Sequence, residues 1–266
     1  MTKLRLSTSR VKTYLHCPKA YWWQYKEDVV LQKRSKALQV GDFTHIFLQK
    51  DAEGTLTKEY VNQLADEVQK AYPDNTIEES TDIAYDAFTY YLGHKEKFKD
   101  SAFKIESTEV HLECEMKGFT LYTRLDTLLR DQESRLWRGE YKTTARIDSA
   151  YLSGLKSGLQ AGISYLVMQE VMPEPITGTI YDLIVKTKVP QYERAMILAE
   201  RSLIQRTTDC LNGVADGILS ERFYPSMECH YFNRECDFLP LCKHDSIATR
   251  EAFYERRTEF YNKPKG

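Results

Sequence analysis

Residues 121–144 read LYTRLDTLLR, then DQESR, then LWRGEYKTT. The pattern predicts two short β-strands joined by a polar turn. The first strand carries a single acid, Asp126, among apolar neighbours. The second ends in Glu140-Tyr141-Lys142, where the two-residue period puts Glu140 and Lys142 on one face and Tyr141 on the other. Paired as a hairpin, the strands bring Asp126, Glu140 and Lys142 close together. Two carboxylates suit a hard divalent cation, and a nearby ammonium can stabilise or deprotonate an attacking water. A strand bearing Glu and Lys is equally the ordinary look of a solvated sheet face, so the flanking sequence decides between the two.

The chain has 266 residues, enough for one large domain with a substantial core. Its 42% hydrophobic and 29% charged content is ordinary for a soluble globular protein. No run approaches the ~18 apolar residues of a membrane span. The opening MTKLRLSTSR has no apolar core of a secretory signal, so a cytoplasmic, intracellular protein is expected. Its six cysteines then need an explanation other than disulfides. The net charge of −2 hides an uneven distribution. Residues 1–50 hold ten Lys and Arg against three acids, and residues 51–100 hold twelve acids against five Lys. This suits either a positive surface on one side of the fold or merely uneven helix surfaces.

Upstream, LSTSRVKTYLHCPKAYWWQY (6–25) predicts a helix entered through Ser and Thr, broken at Cys17-Pro18 and continued with a dense aromatic face. ALQVGDFTHIFLQ (37–49) predicts a helix with Gly41 at its start or at a close contact. His45 within it is either a core histidine or, beside two carboxylates, a ligand for Mg²⁺ or, better, Mn²⁺. Residues 55–100 predict two helices turning at Pro73-Asp74-Asn75. FKIESTEVHLECEM (103–116) alternates as a strand and turns at Lys117-Gly118 into the Asp126 strand, with Glu109 at its beginning. After Thr144 comes Ser/Gly-rich ground (147–158), then a helix over LQAGISYLVMQEVM (159–172) and a central strand in TGTIYDLIVKTKVP (177–190). Residues 192–219 are expected to form one long helix, and the tail over 245–262 a charged amphipathic one.

Near the C-terminus, Cys229, Cys236 and Cys242 cluster with six and five residues between them. Three clustered thiols point to metal, as an iron–sulfur cluster or zinc. Cys17 is the obvious fourth thiol; for zinc, Cys17, His230 or His244 could complete the set. Cys114 and Cys210 look like small buried hydrophobes.

The acid, gap, Glu-x-Lys pattern resembles the PD-(D/E)xK nuclease superfamily, with Leu125-Asp126 in place of Pro-Asp. The string Leu6-Ser7-x-Ser9…Tyr14-x-x-Cys17-Pro18 and the element Gly41-x-x-x-His45 resemble RecB-like and Cas4-like members. One Cys near the start and three near the end resemble the [4Fe–4S] nucleases, namely Cas4-like proteins and the AddB-type nuclease domain. The spacing departs from the commoner Cys-x2-Cys-x5-Cys: Cys236-x5-Cys242 keeps the second half, and Asn233 stands where the Cys before it would fall.

The resemblance implies an α/β fold: a restriction-endonuclease-like core with a mixed central sheet flanked by helices, an N-terminal helical part and a C-terminal iron–sulfur region. It implies one nuclease domain over 1–266, with a helical insertion at 51–100, a catalytic core at 121–190 and a staple formed by Cys17 with 229–242. His45, Asp126, Glu140 and the Tyr141 carbonyl would hold Mg²⁺ or Mn²⁺, Lys142 would orient or activate water, and Gln160 would position substrate. Relatives carry Gln-x-x-x-Tyr on that helix; here Tyr165 comes one residue late, rotated by ~100°. Lys186 and Lys188 would meet phosphate or simply be solvated. Glu109 would support the site or form a surface salt bridge. Tyr14, Trp22 and Trp23, if exposed, would stack on single strands.

The implied activity is metal-dependent DNA exonuclease action in recombination, repair or phage DNA processing. No helicase motor is expected, since no G-x-x-x-x-G-K-[ST] loop occurs. Two alternatives stand beside it: a Cas4-like CRISPR adaptation nuclease working in a complex, and a catalytically silent DNA-binding or recombination partner. The expected partners are DNA with a single-stranded end, a further copy of the chain, or recombination or CRISPR proteins, with no membrane.

Overall fold

The computed structural model describes residues 3–32, 35–99, 101–231 and 234–256. The chain opens with β1 (Leu4–Leu6), α1 (Thr8–His16), α2 (Pro18–Tyr25) and β2 (Val29–Leu31). The expected break between the helices falls at Cys17, whose extended backbone (φ −158°, ψ 111°) stops α1. The Cys17 sulfur then accepts the Ala20 N–H to cap α2, and Pro18 takes a first-turn position where its missing N–H costs nothing.

Three helices follow: α3 (Lys36–Ala52), α4 (Lys58–Ala71) and α5 (Ile77–Lys97). Thr57 caps α4, and a reciprocal Thr76–Glu79 capping box starts α5. Their apolar faces meet around Phe43, Phe47, Leu64, Val68, Ile83 and Tyr91. Next come β3 (Lys104–Met116), β4 (Phe119–Arg130) and β5 (Leu136–Thr144), with Gly118 (φ 91°) making the left-handed turn from β3 to β4. After α6 (Ser149–Lys156) and α7 (Leu159–Val171), β6 (Ile176–Val185) returns parallel to β5, and β7 (Gln191–Leu198) pairs antiparallel to β6. The chain ends with α8 (Arg201–Leu219), β8 (His230–Tyr231), β9 (Arg234–Glu235), α9 (Leu239–Lys243), α10 (Ile247–Phe253) and β10 (Tyr254–Arg256).

Two compact units share this chain. The first comprises residues 1–34, 113–123 and 204–266; the second comprises 35–112 and 124–203. In the first, β1 runs parallel to the opening residues of β4, β10 pairs with β2, and an apolar cluster joins Cys17, Trp23, Val29, Phe238, Leu241 and Tyr254. In the second, the strand order is β4-β5-β6-β7 with β3 on β4, a mixed sheet flanked by helices as expected. The parallel β5–β6 pair is its centre, and β6 is buried along most of its length, as suits a strand covered on both faces.

Four expectations are corrected. Residues 192–219 are not one helix: 191–198 form β7, and only α8 is helical. QYERAMIL contains good helix formers, but propensity is a weak prior, and pairing with β6 over eight register positions outweighs it. The Ser/Gly-rich ground after Thr144 holds α6, capped by Asp148 accepting the Tyr151 N–H at 2.8 Å. Glu109 does not begin its strand; it lies inside β3 with φ 48°. The tail is a short α10 followed by β10, while residues 257–262 of the expected helix, and Asn233, lie outside the described residues.

Candidate active site

The second unit contains the whole carboxylate group. Thr127 on β4 pairs with Gly139 on β5, so Asp126 and Glu140 occupy the next positions on the opposite sheet face. Arg138 and Lys142 share that face with Glu140 by the two-residue period. Gly139 is needed because a Cβ there would collide with Thr127 Oγ1. Gly41 has a similar role on α3, inside the helix rather than at its start. A Cβ at Gly41 would come 2.9 Å from Thr143 Oγ1, so its absence lets α3 approach β5 and presents His45 one turn later.

Asp126 is 9% exposed and Glu140 3%. Asp126 Oδ2 accepts the Tyr141 N–H at 2.8 Å and stands 3.6 Å from His45 Nδ1. Glu140 is held at both oxygens. Oε2 accepts from Arg138, while Oε1 accepts from Lys142 and from Gln160 Nε2 (2.7 Å). Gln160 Oε1 in turn accepts from the Lys142 ammonium at 2.9 Å.

Burial pushes the Asp126 carboxyl above its usual range, and the neighbouring Glu140 charge adds to this. Burial works the same way on Glu140, but the Arg138 and Lys142 cations outweigh it and hold that carboxyl at about 2. Burial disfavours the Lys142 ammonium, yet Glu140 and Asp126 reverse the sign and raise its pKa. Lys142 is therefore cationic at neutral pH. Nearby, Glu109 Oε2 lies 2.7 Å from Arg124 Nε, and burial outweighs that partner to push the carboxyl up to about 7.

On the opposite sheet face, His94 Nε2 lies 2.9 Å from Asp182 Oδ2, and Arg194 donates to both Asp182 oxygens at 2.6 and 2.7 Å. The His94 ring packs edge-on to Tyr141 at 5.4 Å. A cavity of about 290 Å³ opens beside this network, lined by Phe98, Phe103 and Arg194 among others. Sequence reading missed this network and Arg138. The available signals were an acid inside the apolar run of β6 and an arginine inside LWRGEYK.

The remaining expected residues are placed elsewhere. Tyr165 is fully buried with its hydroxyl 2.8 Å from Thr179 Oγ1, so the extra residue before it turns it into the core rather than toward the carboxylates. Lys186 donates to the Ala37 carbonyl at 2.8 Å, and Lys188 is exposed at the strand end. Tyr14 and Trp23 are buried, and Trp22 is half-buried beneath the Lys19 ammonium, so the first two offer no stacking surface.

Two carboxylates and an imidazole are a donor set suited to a hard divalent ion, and Asp126, its pKa raised first by burial and then by the Glu140 charge, would gain from a bound cation. Among the described residues, no three His, Cys, Asp or Glu side chains stand at metal-holding separations. In the first unit, Cys236 lies in electrostatic reach of Cys17, Cys229 and Cys242. All four cysteines are free thiols. Cys17 Sγ accepts two backbone N–H groups, from Ala20 at 3.4 Å and Ser226 at 3.3 Å. Thiols are soft donors of the kind that zinc and iron–sulfur clusters take, although these four do not stand as a metal-holding group. Cys114 and Cys210 stand apart in a strand and a helix.

A crystal structure of a "Putative exonuclease" from Eubacterium rectale superposes with a TM-score of 0.58 at 14% identity, covering 91% of this chain and 88% of that one. At that identity the likeness speaks for the fold alone. The solved structure of SSO0001 aligns with a TM-score of 0.32 at 16% identity, over 68% of this chain and 87% of that one, too slight a likeness to argue from. No curated protein matches the sequence. The family model of the PD-(D/E)XK nuclease superfamily matches residues 5–243, which span the Asp126 and Glu140-x-Lys142 strands and the four clustered cysteines. The chain belongs to the PD-(D/E)XK nuclease superfamily.

Proposed function

We propose that the protein is a divalent-metal-dependent DNA exonuclease that hydrolyses phosphodiester bonds. The observation that carries this reading is the buried Asp126–Glu140–Lys142–Gln160 group with His45 at its edge. Asp126, Glu140 and His45 would hold Mg²⁺ or Mn²⁺, which supplies Lewis acidity toward a phosphate oxygen and lowers the pKa of water. Lys142, an ammonium held beside Glu140, would orient or activate the water and screen the developing charge. Gln160 would hold the ammonium beside Glu140 and position substrate. Digestion from an end, as against internal cutting, is part of this proposal and is decided by the release of end label below. For the four-thiol centre a structural [4Fe–4S] cluster is the favoured occupant, with Zn²⁺ the other candidate.

The test is incubation of the purified protein with end-labelled single- and double-stranded DNA, with and without Mg²⁺ or Mn²⁺, beside Lys142→Ala. Metal-dependent release of label that is lost in Lys142→Ala is the expected result. Wild-type protein that binds DNA but leaves it intact would overturn the reading in favour of a silent DNA-binding partner.

A further inference from the structure

Arg138 is 0% exposed and lies two residues before Glu140 on the same face of β5. Its Nη2 donates to Glu140 Oε2, while its Nε and Nη1 have no hydrogen-bond partner. Burying a guanidinium with two unpartnered nitrogens, and so three unused N–H groups, is costly, so its charge, rather than its hydrogen bonding, accounts for its position. The Tyr181 ring lies 5.9 Å away. Glu140 is thereby gripped at one oxygen by Arg138 and at the other by Lys142 and Gln160.

The charges facing this group balance. Asp126 and Glu140 are countered by Arg138 and Lys142, Glu109 is paired with Arg124, and Asp182 is paired on the other sheet face with Arg194 and His94. Two carboxylates in a dry site without such compensation would attract divalent ions strongly. Here two fixed cations already occupy the field.

We infer that Arg138 is a positioning residue that fixes Glu140 and, as a permanent counter-charge, limits the group to a single, weakly held divalent cation. The inference rests on the metal-dependent reading above. At an effective dielectric of ~20, a unit charge changes a cation's affinity by roughly a thousandfold at ~4 Å and still by roughly tenfold at ~12 Å. Removing the Arg138 charge should therefore tighten metal binding even though it removes a contact.

The experiment measures Mn²⁺ binding by electron paramagnetic resonance at pH 8, without DNA, for the wild type, Arg138→Met and Arg138→Lys, each checked for folding by circular dichroism. One ion per wild-type chain is expected. Arg138→Met should bind at least about tenfold more tightly or take up a second ion, with Arg138→Lys restoring the wild-type isotherm. A merely structural arginine would instead weaken binding in both variants, which overturns the inference. Two ions on the wild type, or no ion on any of the three, overturn it as well. Should Arg138→Met fail to fold, the wild-type stoichiometry and the Arg138→Lys isotherm decide. DNA digestion by the same wild-type sample separates the outcomes. Metal-dependent digestion with unchanged Arg138→Met affinity defeats this inference alone, whereas neither binding nor digestion defeats the nuclease reading too.

Discussion

The Gln160 side chain bonds both members of the Lys142–Glu140 pair, accepting from the ammonium at 2.9 Å and donating to Glu140 Oε1 at 2.7 Å. Gln160 belongs to α7 and the other two to β5. One amide thus ties the helix to the strand and sets the cation against the carboxylate. Gln160→Ala leaves the charges in place and loosens only their alignment, so nuclease turnover should fall about tenfold with little change in KM. Lys142→Ala removes the charge itself and should cost about 100-fold or more. Steady-state release of end label measures both, and equal losses in the two variants would refute the division of labour.

Asp126 is destabilising in the metal-free protein. Its folded pKa is raised by burial and by Glu140, so ionisation above the ordinary carboxylate range costs stability. Asp126→Asn keeps an oxygen for the Tyr141 N–H and removes that charge. The metal-free variant should be more stable at pH 8 by about 1–2 kcal/mol while losing activity. Denaturant melts of chelator-treated samples check this, and a lower midpoint for the variant would contradict it.

Glu109 predicts a pH dependence with a definite sign. Its folded pKa of about 7 exceeds the ordinary value of 4.5. The stability it contributes is therefore fully present below about pH 4.5 and is lost as pH rises through 7. Glu109→Gln should gain stability relative to wild type between pH 5 and pH 8, by about 1–3 kcal/mol after allowance for its Arg124 partner. Urea unfolding at both pH values tests it; a difference that does not change with pH would show that burial does not dominate at this site.

Under the iron–sulfur reading of the four-thiol centre, anaerobic preparations should be brown. Cys17→Ser should abolish the colour, lower the iron content and reduce the melting temperature of the first unit, since metal binding is linked to folding. Metal analysis of wild type and variant gives the answer. A colourless wild type with one Zn²⁺ per chain would establish zinc, and undiminished iron in Cys17→Ser would exclude Cys17 as a ligand.

What the sequence alone determined is mostly local. The two-residue period of LYTRLDTLLR and LWRGEYKTT is enough to set Asp126, Glu140 and Lys142 on one face of a hairpin. Cys17-Pro18 is enough to break a helix, and Pro73-Asp74-Asn75 to turn one, because these signals act through backbone sterics and hydrogen bonds within a few residues. Only the tertiary structure decided the rest. QYERAMIL became a strand because β6 had a free edge beside it. Tyr165 went into the core because one extra residue on α7 rotates a side chain by about 100°. Arg138 acquired its role from a buried carboxylate two residues along, and Asp182 from His94 and Arg194 on other elements. In each case the deciding energy is burial and charge pairing between residues distant in the chain or turned to a shared interior. No local pattern encodes whether such a partner arrives.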